Sequence, residues 1–244
     1  MKKSIRIIII SFSLPFTVQG FTFSQGTDST TAVKDFKCFV NLTTNGISNI
    51  PAFTLGKPAS IIEFSVGRRL TFDPQFRFSL EGKPWAFVFW LRYKLLNTGK
   101  FRLNVGAHPA LLFAGRTVST GQSSSEIIEG RRYLAAAVSP GYAITKNVMV
   151  GMYYLNSHGM EKDVIRQVHF LTLRTVLSDL KLSDQFFLHI TPQLYYLRLD
   201  EQDGFYFSSE CTLTRENFPL SVSSVINKRI RSNITMGSEF VWNV

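Results

Sequence analysis

The four histidines, His108, His158, His169 and His189, are the first candidates for catalysis. On a strand, a His and a Ser two residues apart share a face, an arrangement in which the imidazole can take the hydroxyl proton. None of the four has Ser at that spacing. His189-Ile190-Thr191 comes nearest, with Thr in place of Ser, and defines one candidate: a lipid-modifying hydrolase using His189 and Thr191. His158 directly follows Ser157, a spacing at which neighbouring side chains diverge, and His108-Pro109 reads as a strand irregularity. No pair of His stands at metal-ligand spacing, and Asp200-Glu201-Gln202-Asp203 is a short acidic turn rather than a calcium loop. No glycine-rich phosphate loop opens a helix. Cys38 and Cys211 allow one disulfide at most; they fall on strands distant in order, so two free thiols are expected. The expectation is a protein with no catalytic residues, no metal and no cofactor.

More coherent is a set of polar side chains recurring at every second position. Phe87, Phe89, Leu91, Tyr93 and Leu95 alternate with Val88, Trp90, Arg92 and Lys94. Phe76, Phe78 and Leu80 alternate with Arg77, Ser79 and Glu81. Leu188, Ile190, Leu194 and Tyr196 alternate with His189, Thr191, Gln193 and Tyr195, and Phe205, Phe207, Cys211 and Leu213 with Tyr206, Ser208, Glu210 and Thr212. If the apolar face meets lipid, the other face points inward. The expected inward set is Arg77, Glu81, Arg92, Lys94, Arg102, His189, Gln193 and Glu210. Cations outnumber carboxylates in it, so it can fill a narrow interior with ion pairs or favour small anions. Trp85, Tyr93, Tyr154, Tyr196 and Trp242 are the candidates for a membrane-interface girdle.

Period-two alternation of aromatic and β-branched residues means strands. About twelve are expected, at 36–45, 60–67, 69–80, 85–97, 100–114, 131–145, 147–157, 164–178, 185–199, 203–215, 218–228 and 233–244. Most reach the nine to eleven residues, approximately, that a tilted strand needs to cross a bilayer. Short turns such as Asn97-Thr98-Gly99-Lys100 join antiparallel neighbours. The longer links, 46–59 and the Ser/Gly-rich 115–130, fall on one side of the sheet, an asymmetry characteristic of outer-membrane barrels. These two loops are the expected ligand-holding elements of a third candidate, a surface-ligand-binding barrel. A secreted β-sandwich shares the alternation but needs neither such long strands nor 22 Phe.

Composition points the same way. Of 244 residues, 45% are hydrophobic and only 18% charged, below the usual quarter. Lys2, Lys3 and Arg6 precede an apolar stretch from Ile7 to Phe16, with small-residue exits at Val18-Gln19-Gly20 and Thr22-Phe23-Ser24. This reads as a secretory signal peptide over 1–24, followed by a loose polar lead-in over 25–35. The leader carries three of the 27 cations and none of the 17 acidic residues, so the remaining chain stays basic. The basic, aromatic composition is not read as nucleic-acid binding, because the leader exports the chain and lipid accounts for the aromatics.

Gly56-Lys57-Pro58-Ala59, Leu70-Thr71-Phe72-Asp73-Pro74-Gln75-Phe76-Arg77-Phe78, Glu81-Gly82-Lys83-Pro84-Trp85 and Leu182-Ser183-Asp184-Gln185-Phe186-Phe187 resemble an uncharacterised family of Bacteroidota outer-membrane β-barrel proteins. The exit at Ser24/Gln25 is similar to the habit of that phylum. The resemblance spans most of 36–244 and implies an outer-membrane location and a barrel, but no activity. One departure is the last residue. Phe240, Trp242 and Val244 alternate as a terminal strand should, but such strands usually end on an aromatic.

The expectation is therefore all-β: a transmembrane antiparallel β-barrel of about twelve strands over 36–244 after a cleaved signal peptide, in the bacterial outer membrane. The expected role is non-enzymatic, a small channel or structural membrane protein. Its expected partners are outer-membrane lipid, the barrel-assembly machinery and a small anionic solute.

Overall fold

A computed structural model describes residues 11–18, 36–48, 50, 53–120, 123–216 and 218–234. Among these residues there are twelve strands: β1 (Ser11–Val18), β2 (Phe36–Thr43), β3 (Ala59–Gly67), β4 (Leu70–Ser79), β5 (Pro84–Thr98), β6 (Phe101–Thr120), β7 (Ser123–Ala143), β8 (Val148–Gly159), β9 (Gln167–Lys181), β10 (Phe186–Leu199), β11 (Gln202–Arg215) and β12 (Ser221–Ser232). Among the described residues there is no α-helix. From β2 to β12 each strand pairs antiparallel with the next, a single meandering sheet. The alternating sequence has this result because short turns return the chain beside the strand it has just left. Eleven of the expected strands appear, nine of them with both ends within four residues of their expected bounds. Of the expected strand at 233–244, Asn233 and Ile234 are not in a strand and the rest lies outside the described residues.

Two elements differ from expectation. The stretch 115–130, read as a loop, instead continues the β6–β7 hairpin, with pairing unbroken out to Thr120 opposite Ser123. Its Ser and Thr hydroxyls and its Val and Ile residues are compatible with a ladder, so polarity alone misread it. Ser11–Val18, inside the expected signal peptide, forms β1, which pairs with β2 over Ser13–Val18 and with β12 over only Ser11–Ser13. Phe12, Leu14, Phe16 and Val18 alternate with Ser11, Ser13, Pro15 and Thr17, so this half of the leader carries strand periodicity too. The leader's cleavage site and the lead-in over 25–35 lie outside the described residues.

The two sheet faces differ sharply. Thr172 and Tyr195 are each 3% exposed, whereas their neighbours Leu173 and Leu194 are 57% and 52% exposed. The same reversal separates Trp90 from Leu91 and Tyr206 from Phe205. The outward face is the apolar one. A ladder of rings crosses it from Phe36 on β2 through Phe64, Phe76 and Phe87 to Phe113 on β6, with centroids 4.9–6.4 Å apart. Such pairs stabilise a sheet beyond the area they cover.

The inward face is packed toward one end. Val168, Leu197 and Leu199 join Phe170, Tyr195, Tyr206, Tyr133 and Leu155 in one cluster. The link between β2 and β3 folds onto it. Ile50 and Phe53 pack there, Leu55 is buried, and the Phe53 carbonyl accepts the indole N–H of Trp85 at 3.0 Å.

Candidate functional site

Beside that cluster lies a cavity of about 330 Å³, walled by inward side chains of β4 to β10 and by Ser48, Ile50 and Phe53 of the β2–β3 link. Its charged lining residues are Arg77, Arg92 and Arg174. Trp90, His108, Tyr153, Phe170, Thr172 and Gln193 add aromatic and hydrogen-bonding surface.

Strand alternation builds the polar wall. On β4, Thr71, Asp73, Gln75 and Arg77 share one face. Asp73 is 3% exposed and fully engaged: it accepts from Ser65 Oγ at 2.6 Å, from Thr71 Oγ1 at 2.9 Å and from Arg92 Nη1 at 2.6 Å. Gln75 donates to Glu63 Oε2 at 2.6 Å and accepts from Arg77 Nη2 at 2.8 Å. Arg92 also lies over the Trp90 ring, 4.7 Å from its centroid, and Arg77 over Trp85 at 5.3 Å. The Trp90 ring packs 4.0 Å from that of His108. Arg77 is half-buried and lines the cavity, and its Nε is buried without a hydrogen-bond partner. His108 Nδ1 is buried and unpartnered as well.

The expected inward residues divide into three groups. Arg77, Arg92 and Gln193 line the cavity together. Lys94, Arg102 and Glu210 share the inward face of their strands but are exposed and do not line the cavity. His189 shares the face of Gln193 but is held elsewhere: Thr214 Oγ1 lies 3.1 Å from Nε2, and the Asp179 amide donates to Nδ1 at 3.4 Å. Among the described residues no hydrogen bond joins His189 to Thr191. Glu81 is not inward at all. It is exposed in the turn between β4 and β5, because β4 ends at Ser79, before the alternation would have reached it.

The aromatic candidates divide too. Trp85 is 2% exposed and inward, a correction to its expected place in an interface girdle. It precedes the inward Ala86 at the start of β5, where the β2–β3 link folds over the strand end and takes its N–H. Tyr93 faces outward beneath the Arg69 guanidinium, 5.1 Å from its ring centre. Tyr154 and Tyr196 are on the outward face, their hydroxyls bonded to His169 Nδ1 at 2.9 Å and Asp203 Oδ2 at 3.2 Å. Trp242 lies outside the described residues.

Asp73, Glu63, Gln75, His108 and Arg174 were not among the expected site residues. The alternation Thr71-x-Asp73-x-Gln75-x-Arg77 was a usable signal for two of them, and Ile61-x-Glu63-x-Ser65 for a third. The acidic turn holds two links together: Asp200 Oδ1 accepts the amides of Arg166 and Gln167 at 3.0 and 2.8 Å. Cys38 and Cys211 are free.

The fold and site define a class: an all-β protein of one antiparallel sheet with an apolar outward face and a cationic inward cavity. No family model matches the chain, and no curated protein or solved structure is significantly similar to it.

Proposed function

We propose that this chain is a non-enzymatic outer-membrane β-barrel protein, a small channel or structural membrane protein with a narrow cationic interior suited to small anions. In this reading it belongs with the Bacteroidota barrel proteins its sequence resembles, reaches the membrane through a cleaved leader and the barrel-assembly machinery, and is embedded in outer-membrane lipid. The carrying observation is the outward face. Leu91, Leu134, Leu173, Leu194, Phe205 and Ile226 stand about half exposed on β5, β7, β9, β10, β11 and β12. An apolar surface that extensive has no use in water, and a bilayer covers it.

Closure of the sheet is part of the proposal, and strand direction supports it. An odd run of strands in which every neighbour reverses leaves β2 and β12 pointing the same way. An antiparallel strand must stand between them to leave no edge in lipid. β1 takes that place, antiparallel to both. Once the leader is removed, that place is left for the twelfth strand that the sequence alternation predicts.

A ligand-binding barrel is the second reading. It is favoured by the β2–β3 link, which lays Ile50 and Phe53 over the cavity. Planar-bilayer conductance of purified protein, with heat-modifiable gel mobility as the folding control, separates the two. Stepwise current with anion preference is expected. A heat-modifiable but silent protein would shift the reading to binding, and a soluble protein with no heat shift would refute the membrane barrel.

A further inference from the structure

We infer that the cavity is a binding site for a small oxyanion, a carboxylate or phosphate compound, held by Arg77, Arg92 and Arg174. The inference rests on the inward and outward facing used above and assigns that interior a ligand.

Charge balance is the first argument. Three guanidinium groups line the cavity, and no carboxylate does. Two carboxylates stand behind them. Asp73 is committed to Arg92 at 2.6 Å. Glu63 is bonded to Gln75 and lies within electrostatic reach of Arg92 and Arg77. Arg174 arrives from β9, four strands beyond Arg92, and among the described residues it makes no ion pair. The cavity therefore holds one positive charge more than its protein partners balance. A cation in a poorly solvated interior needs a counter-charge, and a soluble anion supplies one.

Proximity and donor geometry are the second. Arg77, Arg92 and Arg174 line the same cavity, with His108 and Tyr153 among its other lining residues, so the three cations face one volume. Arg77 is half-buried, with Nη2 on Gln75 and Nε unpartnered, so it retains donor capacity. Guanidinium presents paired N–H donors that match the two oxygens of a carboxylate or phosphate. Thr172 and Gln193 add neutral polar groups beside Arg174. A volume of about 330 Å³ takes a few-carbon anion and excludes a polymer.

The test is calorimetric titration of the full chain, purified from membranes in detergent, with succinate and with inorganic phosphate; glycerol is the uncharged control. Saturable binding of at least one oxyanion and none of glycerol is expected. Arg174→Gln should weaken binding tenfold or more. Lys181→Gln, which alters only an exposed pair with Asp184, should leave it unchanged. Arg77→Gln should act like Arg174→Gln, and if it fails to fold, Arg174→Gln alone decides. Heat-modifiable mobility of each variant reports the fold independently. Folded protein that binds neither oxyanion, or binds equally well after Arg174→Gln, overturns the site while leaving the membrane reading intact. Loss of the heat shift in the wild type counts against the membrane reading instead.

Discussion

Asp73 concentrates the energetics of the inward face in one side chain. It is almost fully buried and takes three hydrogen bonds, one from a guanidinium. Asp73→Ala leaves Ser65 and Thr71 without their acceptor and Arg92 without its counter-charge. Because Arg92 still faces the cavity, the expected loss is about 2–3 kcal/mol rather than that of a wholly buried pair. Urea unfolding in detergent measures it, and a loss below about 0.5 kcal/mol, the level of an exposed pair, would show that the network is solvated. Arg132 and Glu161 provide a contrasting case at the sheet rim. Arg132 Nε donates to Glu161 Oε1 at 2.6 Å and its amide to Oε2 at 2.9 Å, and the guanidinium bond holds the Glu161 carboxyl below its ordinary range. A lowered folded-state value means the contribution is present above the ordinary Glu range and is lost as pH falls through the lowered one. Being exposed, it is worth at most about 1 kcal/mol. Stability measured from pH 7 down to 3 should therefore fall less in Glu161→Gln than in the wild type.

For the elements, the decisive property is that each strand has two dissimilar faces. β5 carries both three positions apart: Phe89 outward against Phe76 at 5.9 Å, and Arg92 inward on Asp73. Phe89→Arg places a charge where the proposal puts lipid and should cost about 2–4 kcal/mol near the bilayer midplane. Arg92→Lys keeps the ion pair, loses part of the contact with Trp90, and should cost about 1 kcal/mol or less. Unfolding of both variants in lipid vesicles is the measurement, and equal tolerance at the two positions would overturn the facing. The β2–β3 link and the β6–β7 hairpin show how differently two long connections behave. The first carries Ile50, Phe53 and Leu55 and folds inward over them. The second has hydroxyl and β-branched residues in register and extends as a ladder.

For the whole molecule the governing constraint is parity. β2 and β12 run in the same direction, so the closure proposed above needs one further antiparallel strand between them. β1 supplies it with three residues paired on the β12 side. If 233–244 takes over after export, deleting 235–244 should abolish the heat-modifiable folded form, whereas expressing the chain from residue 25 behind a different leader should preserve it. A folded, heat-modifiable protein that lacks 235–244 would refute that assignment and leave the seam to residues 11–18.

The sequence by itself determined the all-β class, eleven strand positions to within a few residues in most cases, and the face on which most side chains lie. Those follow from period-two alternation and turn chemistry, which are local. Arg77, Arg92 and Gln193 were legible as inward for that reason. The Arg92–Asp73 pair, the approach of Arg174 to the same cavity and the inward fold of Phe53 over Trp85 were decided by tertiary structure alone. Each joins residues separated by many positions in the chain, and alternation says which face a side chain occupies without saying what stands across from it. Glu81 and Trp85 were misread where strands end, because there the backbone leaves the period that the reading depends on. The 115–130 stretch was misread because a polar segment and a polar strand differ only in whether a partner lies alongside.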